Sequence, residues 1–522
     1  MNIIIPLGGL GERFKNEGYF QPKPLIKISG KEMLFYLIDN LTLKEQDKLI
    51  IIYNKELDKF NFKELILHKY NYDIEMVKLI KNTDGAAETI LVGLNQIDNK
   101  YLQRKTMLLD CDTFYFADVV TTFRKQQNNA IFCFRDDQDK PIYSYCKIEN
   151  GIVKEIKEKN KISDYANTGC YCFESANVLK QYCKKIISQN IREKGEFYTS
   201  CVIAEMLKDG HIFNANIVSE NDFRCVGTPL QLKIFCNSYS YITNSNNNNK
   251  NLRVCFDLDN TLVHFPKIKG DYTTVEPITR TIEYLKYLKK LGHTIVIYTA
   301  RKMKTHNGNV AKVMQDVGTI TMDTLYNFGI PYDELYFGKP YADFYVDDLA
   351  INTFADIEKE IGIYKTGISE RDFNELTTGT IDIITKKSTN DKLKGEIFYY
   401  QNIPASIKKF FPLFISFSSN QYSMEKINGI PISYLYVNES LTSDQFLKFL
   451  NVIHEIHSTQ HSNDVNGVNI YDNYVNKITQ RYKNYDYSVY PNSEYIYNTL
   501  LEYFTTYNSN DKGKIGIIHG DP

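Results

Sequence analysis

Apolar residues fall along the chain in short runs separated by polar or glycine-rich turns, and the runs change period from one to the next. Ile3–Ile5 leads into a glycine-rich turn, Lys31–Leu41 has helical spacing, and Leu49–Tyr53 and Thr106–Leu109 are continuously apolar over the length of a strand. Such alternation predicts a mostly parallel sheet with helices on both faces. The pattern breaks at the polar tract Asn244–Asn251, which lacks the apolar surface to offset its ordering entropy and reads as a linker. It then restarts. Arg253–Phe256 is a strand that runs into acidic residues, Ile278, Ile282, Leu285 and Leu288 mark one face of a helix over 278–291, and Gly292 is placed to end it. Thr294–Tyr298 is the next strand, and Phe344–Val346 is a further apolar run that leads into Asp347 and Asp348. From about Gly367 short strands give way to long helical stretches such as Ser443–His457. No internal repeat is present. The expected division is 1–243, a linker at 244–251, 252–366, and 367–522.

Composition narrows the function classes. In 522 residues, Lys+Arg (62) nearly balance Asp+Glu (63), so no global field is available to hold nucleic acid or an anionic membrane. No apolar run reaches the roughly 18 residues that span a bilayer, and Met1–Ile5 opens directly into apolar sequence with no basic segment ahead of it. The expectation is a cytoplasmic protein with neither nucleic acid nor membrane as partner. All ten cysteines lie between Cys111 and Cys255, with no C-x-x-C pair, as suits buried small hydrophobes in a reducing compartment.

Three stretches carry candidate chemistry. The first is Leu7-Gly8-Gly9-Leu10-Gly11-Glu12-Arg13-Phe14 after a strand, where glycines let the backbone approach a phosphate. It is neither a P-loop nor a dinucleotide fingerprint, since no Gly-Lys-Ser/Thr follows and the spacing is GG-x-G-x-R. With the continuation Gln21-Pro22-Lys23-Pro24-Leu25-Ile26, this segment resembles the signature of the sugar-phosphate nucleotidyltransferases. Gly85-Ala86-Ala87-Glu88-Thr89 resembles that family's nucleobase and ribose segment, and Leu109-Asp110-Cys111-Asp112 its metal-binding strand end. Glu158-Lys159 and Thr168-Gly169 resemble its sugar-phosphate elements, and Gly227-Thr228-Pro229 its late G-T-P. The resemblance implies a Rossmann-like three-layer α/β/α domain. Leu7, Gly8, Gly9, Gly11, Gly85 and Ala86 would bind nucleotide, and Glu158, Lys159 and Gly169 the sugar phosphate. Arg13 would hold the departing pyrophosphate, Lys23 would offset charge at the α-phosphate, and Asp112 would carry Mg²⁺. One position departs: where the family has a second metal-binding aspartate, this chain has Cys225, with Asp222 or Asp110 as candidates to compensate.

The second stretch is Phe256-Asp257-Leu258-Asp259-Asn260-Thr261, a D-x-D-x-T at a strand end, where residues two apart can point to one side. Followed in order by Thr299, Lys339 in Gly338-Lys339-Pro340, and Asp347-Asp348, it resembles the haloacid-dehalogenase phosphatase superfamily. The resemblance implies a second Rossmann-like α/β domain. Asp257 would be the nucleophile and Asp259 the acid and base, Thr299 and Lys339 would bind phosphoryl oxygens, and Asp257, Asp259, Asp347 and Asp348 would form a Mg²⁺ site. The short spacing from Thr261 to Thr299 leaves little room for a large cap and implies an open site.

The third stretch resembles the choline-kinase and aminoglycoside-phosphotransferase group: Lys386 or Lys387 with Glu396, the hinge-like 424–429, and His519-Gly520-Asp521. It implies an incomplete α+β kinase-like domain from which no phosphorylation is expected. His454-Glu455-Ile456-His457 lacks the H-E-x-x-H spacing of a zinc site, because Ser458 stands where the second histidine belongs. The reading is thus an α/β multidomain, bifunctional enzyme of nucleotide-sugar synthesis. It would act on a nucleoside triphosphate and a phosphorylated sugar or polyol, with phosphomonoester hydrolysis as the second activity. Two alternatives stand beside it: a phosphatase whose first domain binds nucleotide without turnover, and a non-catalytic assembly protein. Homo-oligomerisation stays open.

Overall fold

The computed structural model describes residues 1–136, 141–219, 222–243, 251–365, 375–377, 383–388, 393–425, 427, 431–437, 441–459, 470–488 and 492–510. Most of the linker tract (244–250) and His519–Asp521 lie outside the described residues, as do 426 and 428–430 of the hinge-like segment. The chain falls into two compact units, Met1–Ser369 with Asn428–Thr442, and Glu370–Ile427 with Ser443–Pro522.

In the first unit, nine strands form one sheet among the described residues. Strictly alternating residues of its apolar strands enter two separate cores. Ile3, Ile5 and Leu7 lie with Leu49, Ile51 and Tyr53 on one face, and Ile4 lies with Ile50 and Ile52 on the other. Continuous apolar runs are therefore required, because both faces are covered. Met33–Asp39 and Phe62–Lys69 pack on the first face, and Ala86–Gln96, Ala176–Ser188 and Thr199–Lys208 on the second. Three layers, α/β/α, result.

The sheet is mixed and not mostly parallel. Asp73–Leu79, Lys48–Asn54, Asn2–Leu7 and Thr106–Leu109 run parallel in that spatial order. Tyr165–Phe173 then enters antiparallel between Thr106–Leu109 and Asn129–Arg135. Phe213–Ile217 runs parallel to Asn129–Arg135, and the hairpin Ser144–Glu149/Ile152–Glu158 completes the sheet antiparallel. Its turn is Asn150-Gly151, both with positive φ (50° and 74°), the two-residue geometry that Asn-Gly favours. Apolar periodicity reports burial on two faces, which an antiparallel strand inside a sheet shares with a parallel one. Direction is decided by the connection.

Residues 251–365 of the same unit build a smaller layer around three parallel strands, Arg253–Phe256, Thr294–Thr299 and Glu334–Phe337. Helices Thr279–Lys290 and Val310–Asn327 flank them, and Ile282, Leu285 and Leu288 meet Ile295 and Ile297 in one core. The run Phe344–Val346 forms no strand. Val346 is fully exposed, and among the described residues no strand pairs with its backbone. In the second unit, Glu375–Thr377, Ile383–Lys387, Gln421–Glu425 and Phe414–Phe417 make an antiparallel sheet beside Leu393–Gln401. The helices Ser443–Ser458, Ile470–Asn484 and Ser493–Asn510 follow.

One buried ion pair ties the turn before Lys48–Asn54 to helix Val119–Lys125. Both terminal nitrogens of Arg124 donate to the Asp47 carboxylate, at 2.9 and 2.6 Å, and the Lys44 N–H adds a third bond at 2.8 Å. Burial by itself would push the Asp47 carboxyl up, but the Arg124 fork, the Met1 ammonium 2.9 Å away and the Lys44 N–H hold it down at about 2. The folded value lies below the unfolded one of about 4, so the stabilisation is complete above that pH and drains away as pH falls toward 2. Asp47→Asn should lower stability at pH 7 by about 2 kcal/mol. In thermal melts across pH, the gap to the wild type should close between about pH 4 and pH 2.

Candidate active site

Strand Asn2–Leu7 delivers Gly8 to the end of the sheet, and the chain turns through Gly11 (φ 68°) into helix Glu12–Asn16. The turn is tight on its inner side. A Cβ on Gly8 would stand 2.4 Å from Thr89 Oγ1 and 3.1 Å from Thr83 Oγ1, and Asn54 donates to the Gly8 carbonyl at 3.2 Å. Around Gly9 there is open space. Gly85, at φ 138°, lets the start of helix Ala86–Gln96 press on the backbone of Phe197, where a Cβ would lie 2.6 Å from its N and O. Leu7 is buried, and Arg13 is exposed on the helix after the loop.

Beside the loop, Lys23 sits in a short turn over Lys23–Leu25, its Cβ 3.1 Å from where a Gly11 Cβ would stand. Its ammonium lies 2.5 Å from Asp112 Oδ2. Burial works to lower the Lys23 pKa, but the Asp112 carboxylate overrides it, and the ammonium is held well above its ordinary range. Asp112 follows strand Thr106–Leu109, and a Cβ on Gly227 would lie 2.5 Å from the same carboxylate oxygen. Strand Phe223–Cys225 pairs with Thr113–Tyr115 and sets Cys225 opposite Thr113, next to Asp112. Burial first, and the Asp112 charge second, push the Cys225 thiol up to about 12. Asp110 is pushed to about 7 by burial and by its neighbour Asp112, and its carboxyl faces Gly169, where a Cβ would come within 2.5 Å. Gly169 is the left-handed residue (φ 90°) of a register shift in strand Tyr165–Phe173.

Glu158 and Lys159 end the hairpin strand. Glu158 is buried and accepts from Ser144 Oγ (2.5 Å) and Ser200 Oγ (2.8 Å), while Lys159, at φ 48°, donates to Tyr198 OH at 2.8 Å. Lys23, Asp112, Asp110, Cys225, Gly227 and Gly169 thus share one end of the sheet. Asp222 does not join them, since its carboxylate binds the Ser219 N–H and Oγ. Sequence reasoning passed over Thr83, Asn54, Ser144, Ser200 and Tyr198, isolated polar residues with no spacing to single them out.

Asp112 is the carboxylate here that could hold a hard cation such as Mg²⁺, and the Cys225 thiol, pushed toward its neutral form by burial, adds no hard donor.

In the second region, Asp257 and Asp259 leave strand Arg253–Phe256 and diverge in their partners. Lys339 Nζ stands 3.0 Å from Asp257 Oδ1. Asp259 is gripped by Arg301, whose Nε (3.0 and 3.1 Å) and terminal nitrogen (2.9 Å) reach it from a fully buried side chain. Burial raises the Asp259 carboxyl and Arg301 opposes that rise. Thr299 is buried, its Oγ1 accepting from the Arg301 N–H at 3.2 Å, and its carbonyl accepts from the Lys339 N–H. The structure does not carry Asp347 and Asp348 to this cluster. Both are exposed, and among the described residues no three His, Cys, Asp or Glu side chains gather closely enough to hold a metal ion. The missing strand at Phe344–Val346 is the physical reason. Arg301 was missed because no acid–base spacing marks it.

In the second unit, Lys386, and not Lys387, reaches Glu396, at 2.7 and 2.8 Å, with Tyr422 OH on the same carboxylate.

Residues 2–222 match the family model described as Nucleotidyl transferase. The N-terminal part of this chain is a nucleotidyl transferase domain. The chain is 28% identical over 240 residues to the bifunctional protein GlmU of Aliarcobacter butzleri, covering 44% of this chain and 51% of that protein. For GlmU of Helicobacter pylori the identity is 25% over 231 residues, with 43% and 51% covered. The chain therefore spans about half the length of these relatives. Among solved structures, the nucleoside-diphosphate-sugar pyrophosphorylase of Vibrio cholerae RC9 aligns at 23% identity and a TM-score of 0.40, over 45% of this chain and 99% of that one. The inositol-1-phosphate CTP transferase of T. maritima aligns at 13% and 0.37, over 44% and 90%. No helix among the described residues is long and apolar enough to cross a membrane.

The nucleotidyl transferase domain makes a chemical prediction. With its pKa at about 12, Cys225 carries almost no thiolate at pH 8. Iodoacetamide on the native chain should label the exposed Cys255 and spare Cys225, and should label both after denaturation, as read by peptide mass spectrometry.

Proposed function

We propose that the chain is a two-site enzyme that joins a nucleoside monophosphate to a phosphorylated sugar or polyol and hydrolyses a phosphomonoester at a separate centre. The observation that carries the first activity is the Lys23 ammonium on the Asp112 carboxylate, 2.5 Å apart beside the Gly8–Gly11 turn of a nucleotidyl transferase domain. The reaction needs little covalent work from the protein. A sugar-phosphate oxygen, already largely ionised at neutral pH, attacks the α-phosphorus of the triphosphate, and pyrophosphate leaves. Catalysis is alignment plus compensation of charge. The open backbone at Gly9 receives phosphate oxygens, Lys23 offsets charge at the α-phosphate, and exposed Arg13 holds the departing pyrophosphate. Glu158 and Lys159 face the acceptor. Asp112 would hold Mg²⁺, which when bound supplies further neutralisation of phosphate charge. Supporting the second activity are the Lys339 ammonium, 3.0 Å from the Asp257 carboxylate, and Arg301 against Asp259, which fixes the acid–base partner. The phosphoryl group passes to an Asp257 oxygen with expulsion of the alcohol, to which Asp259 gives a proton, and water then releases phosphate.

Cys225 favours one rival, a first domain that binds nucleotide without turning it over. The test is pyrophosphate release from the purified chain with Mg²⁺, each common nucleoside triphosphate and a panel of phosphorylated sugars and polyols. Release confined to one nucleotide–acceptor pair is the expected result, and nucleotide binding with no release from any pair selects the rival. Asp112→Asn should cut transfer by a factor on the order of 10²–10³ and leave phosphate release intact. Asp257→Asn should do the reverse. One substitution silencing both activities would rule out separate centres.

A further inference from the structure

The loop that carries Lys23 is held from two sides, and one of them belongs to the phosphatase-like layer. On the inner side lies Gly11, where a Cβ would stand 3.1 Å from the Lys23 Cβ. On the outer side lies the segment made of helix Ile357–Ile361 and the residues up to Tyr364. Ser29 and Gly30 donate their N–H groups to the carbonyls of Gly362 and Ile361 at 2.9 and 2.8 Å. Tyr19 and Tyr364 share a buried hydroxyl–hydroxyl bond of 2.8 Å, and Lys359 Nζ reaches the Glu17 carbonyl at 2.7 Å. Gly362 ends the helix at φ 74°, so close to the loop that a Cβ there would stand 2.0 Å from the Lys27 oxygen. The same segment is rooted elsewhere: Ile361 and Ile363 belong to the core of residues 251–365, whereas Tyr364 enters the core of the large sheet.

We infer that the 357–364 strap is a working part of the nucleotidyl-transfer site, with Gly362 and Tyr364 as positioning residues that fix Lys23 through the Tyr19–Gly30 loop. This rests on the role given to Lys23 above. A loop pinned at Glu17, Tyr19, Ser29 and Gly30 has little freedom left at its middle, and displacement of a charge-compensating group by about 1 Å costs up to 10²-fold in rate.

The test uses the full chain and its best nucleotide–acceptor pair. Gly362→Ala, whose methyl must displace the Lys27 backbone, should lower kcat for transfer roughly 10- to 100-fold with a small change in KM. Tyr364→Phe should give a milder loss in the same direction, and phosphate release should keep its wild-type rate in both. Added to Lys23→Ala, neither substitution should cost anything more, because both act through Lys23. Wild-type transfer by both variants, or losses that multiply with Lys23→Ala, would overturn the inference. An activity-free arm accompanies it: in the ligand-free chain the Ser29 and Gly30 amides should exchange slowly with deuterium, and quickly in Gly362→Ala, while amides of Asn2–Leu7 stay protected. Fast exchange in the wild type also overturns it. A wild-type chain that turns over no pair sinks the functional reading instead, and the exchange result then decides the strap on its own.

Discussion

Placing a lysine and an aspartate 2.5 Å apart in a partly buried pocket is a demand that much of the first unit serves. Removing both charges from water is costly, and their attraction repays that cost only when geometry is held tightly. The end of the parallel strands supplies the rigid platform for Asp112. A glycine at 227 allows the chain to close over its carboxylate, and a glycine at 11 allows the lysine turn to come near. Removing either partner would leave the other charged and half-desolvated, so the pair constrains the structure before any substrate arrives.

A contrast separates the two centres. In the first, an ammonium meets the carboxylate read as a metal ligand, and the nearby Asp110 and Cys225 are pushed toward their neutral forms by burial. The local charge is therefore simpler than the residue types indicate, with Lys23 against Asp112 at its heart. In the second, each carboxylate has its own cation, Lys339 for Asp257 and Arg301 for Asp259. Different partners give two chemically similar side chains different environments. The fully buried Arg301 makes this division rigid.

Much of this was legible along the chain. The runs at Ile3–Ile5, Leu49–Tyr53 and Thr106–Leu109 became central strands because a strand covered on both faces has to be apolar throughout. Helix Thr279–Lys290 followed its spaced Ile282, Leu285 and Leu288. The glycine turn, Lys23 and Asp112 stood out through their spacing and charge, and the structure sets Lys23 on Asp112. Strand direction did not stand out, since Tyr165–Phe173 is buried on both faces like its neighbours and only its connections make it antiparallel. Nor did the exposure of Phe344–Val346, whose sequence suits a strand but which pairs with no strand among the described residues.

What the sequence by itself determined, then, is the local: which segments are strands or helices, and which residues carry charge or nucleophiles. These follow from side-chain periodicity and chemistry, which act over a few residues. Tertiary structure decided which of them meet. It set Asp222 aside on Ser219, brought Asp110 to Gly169, gave Arg301 to Asp259, and laid Gly362 and Tyr364 against a loop more than 300 residues earlier in the chain. Such contacts depend on chain direction and on close packing between distant segments, and no short-range pattern encodes either.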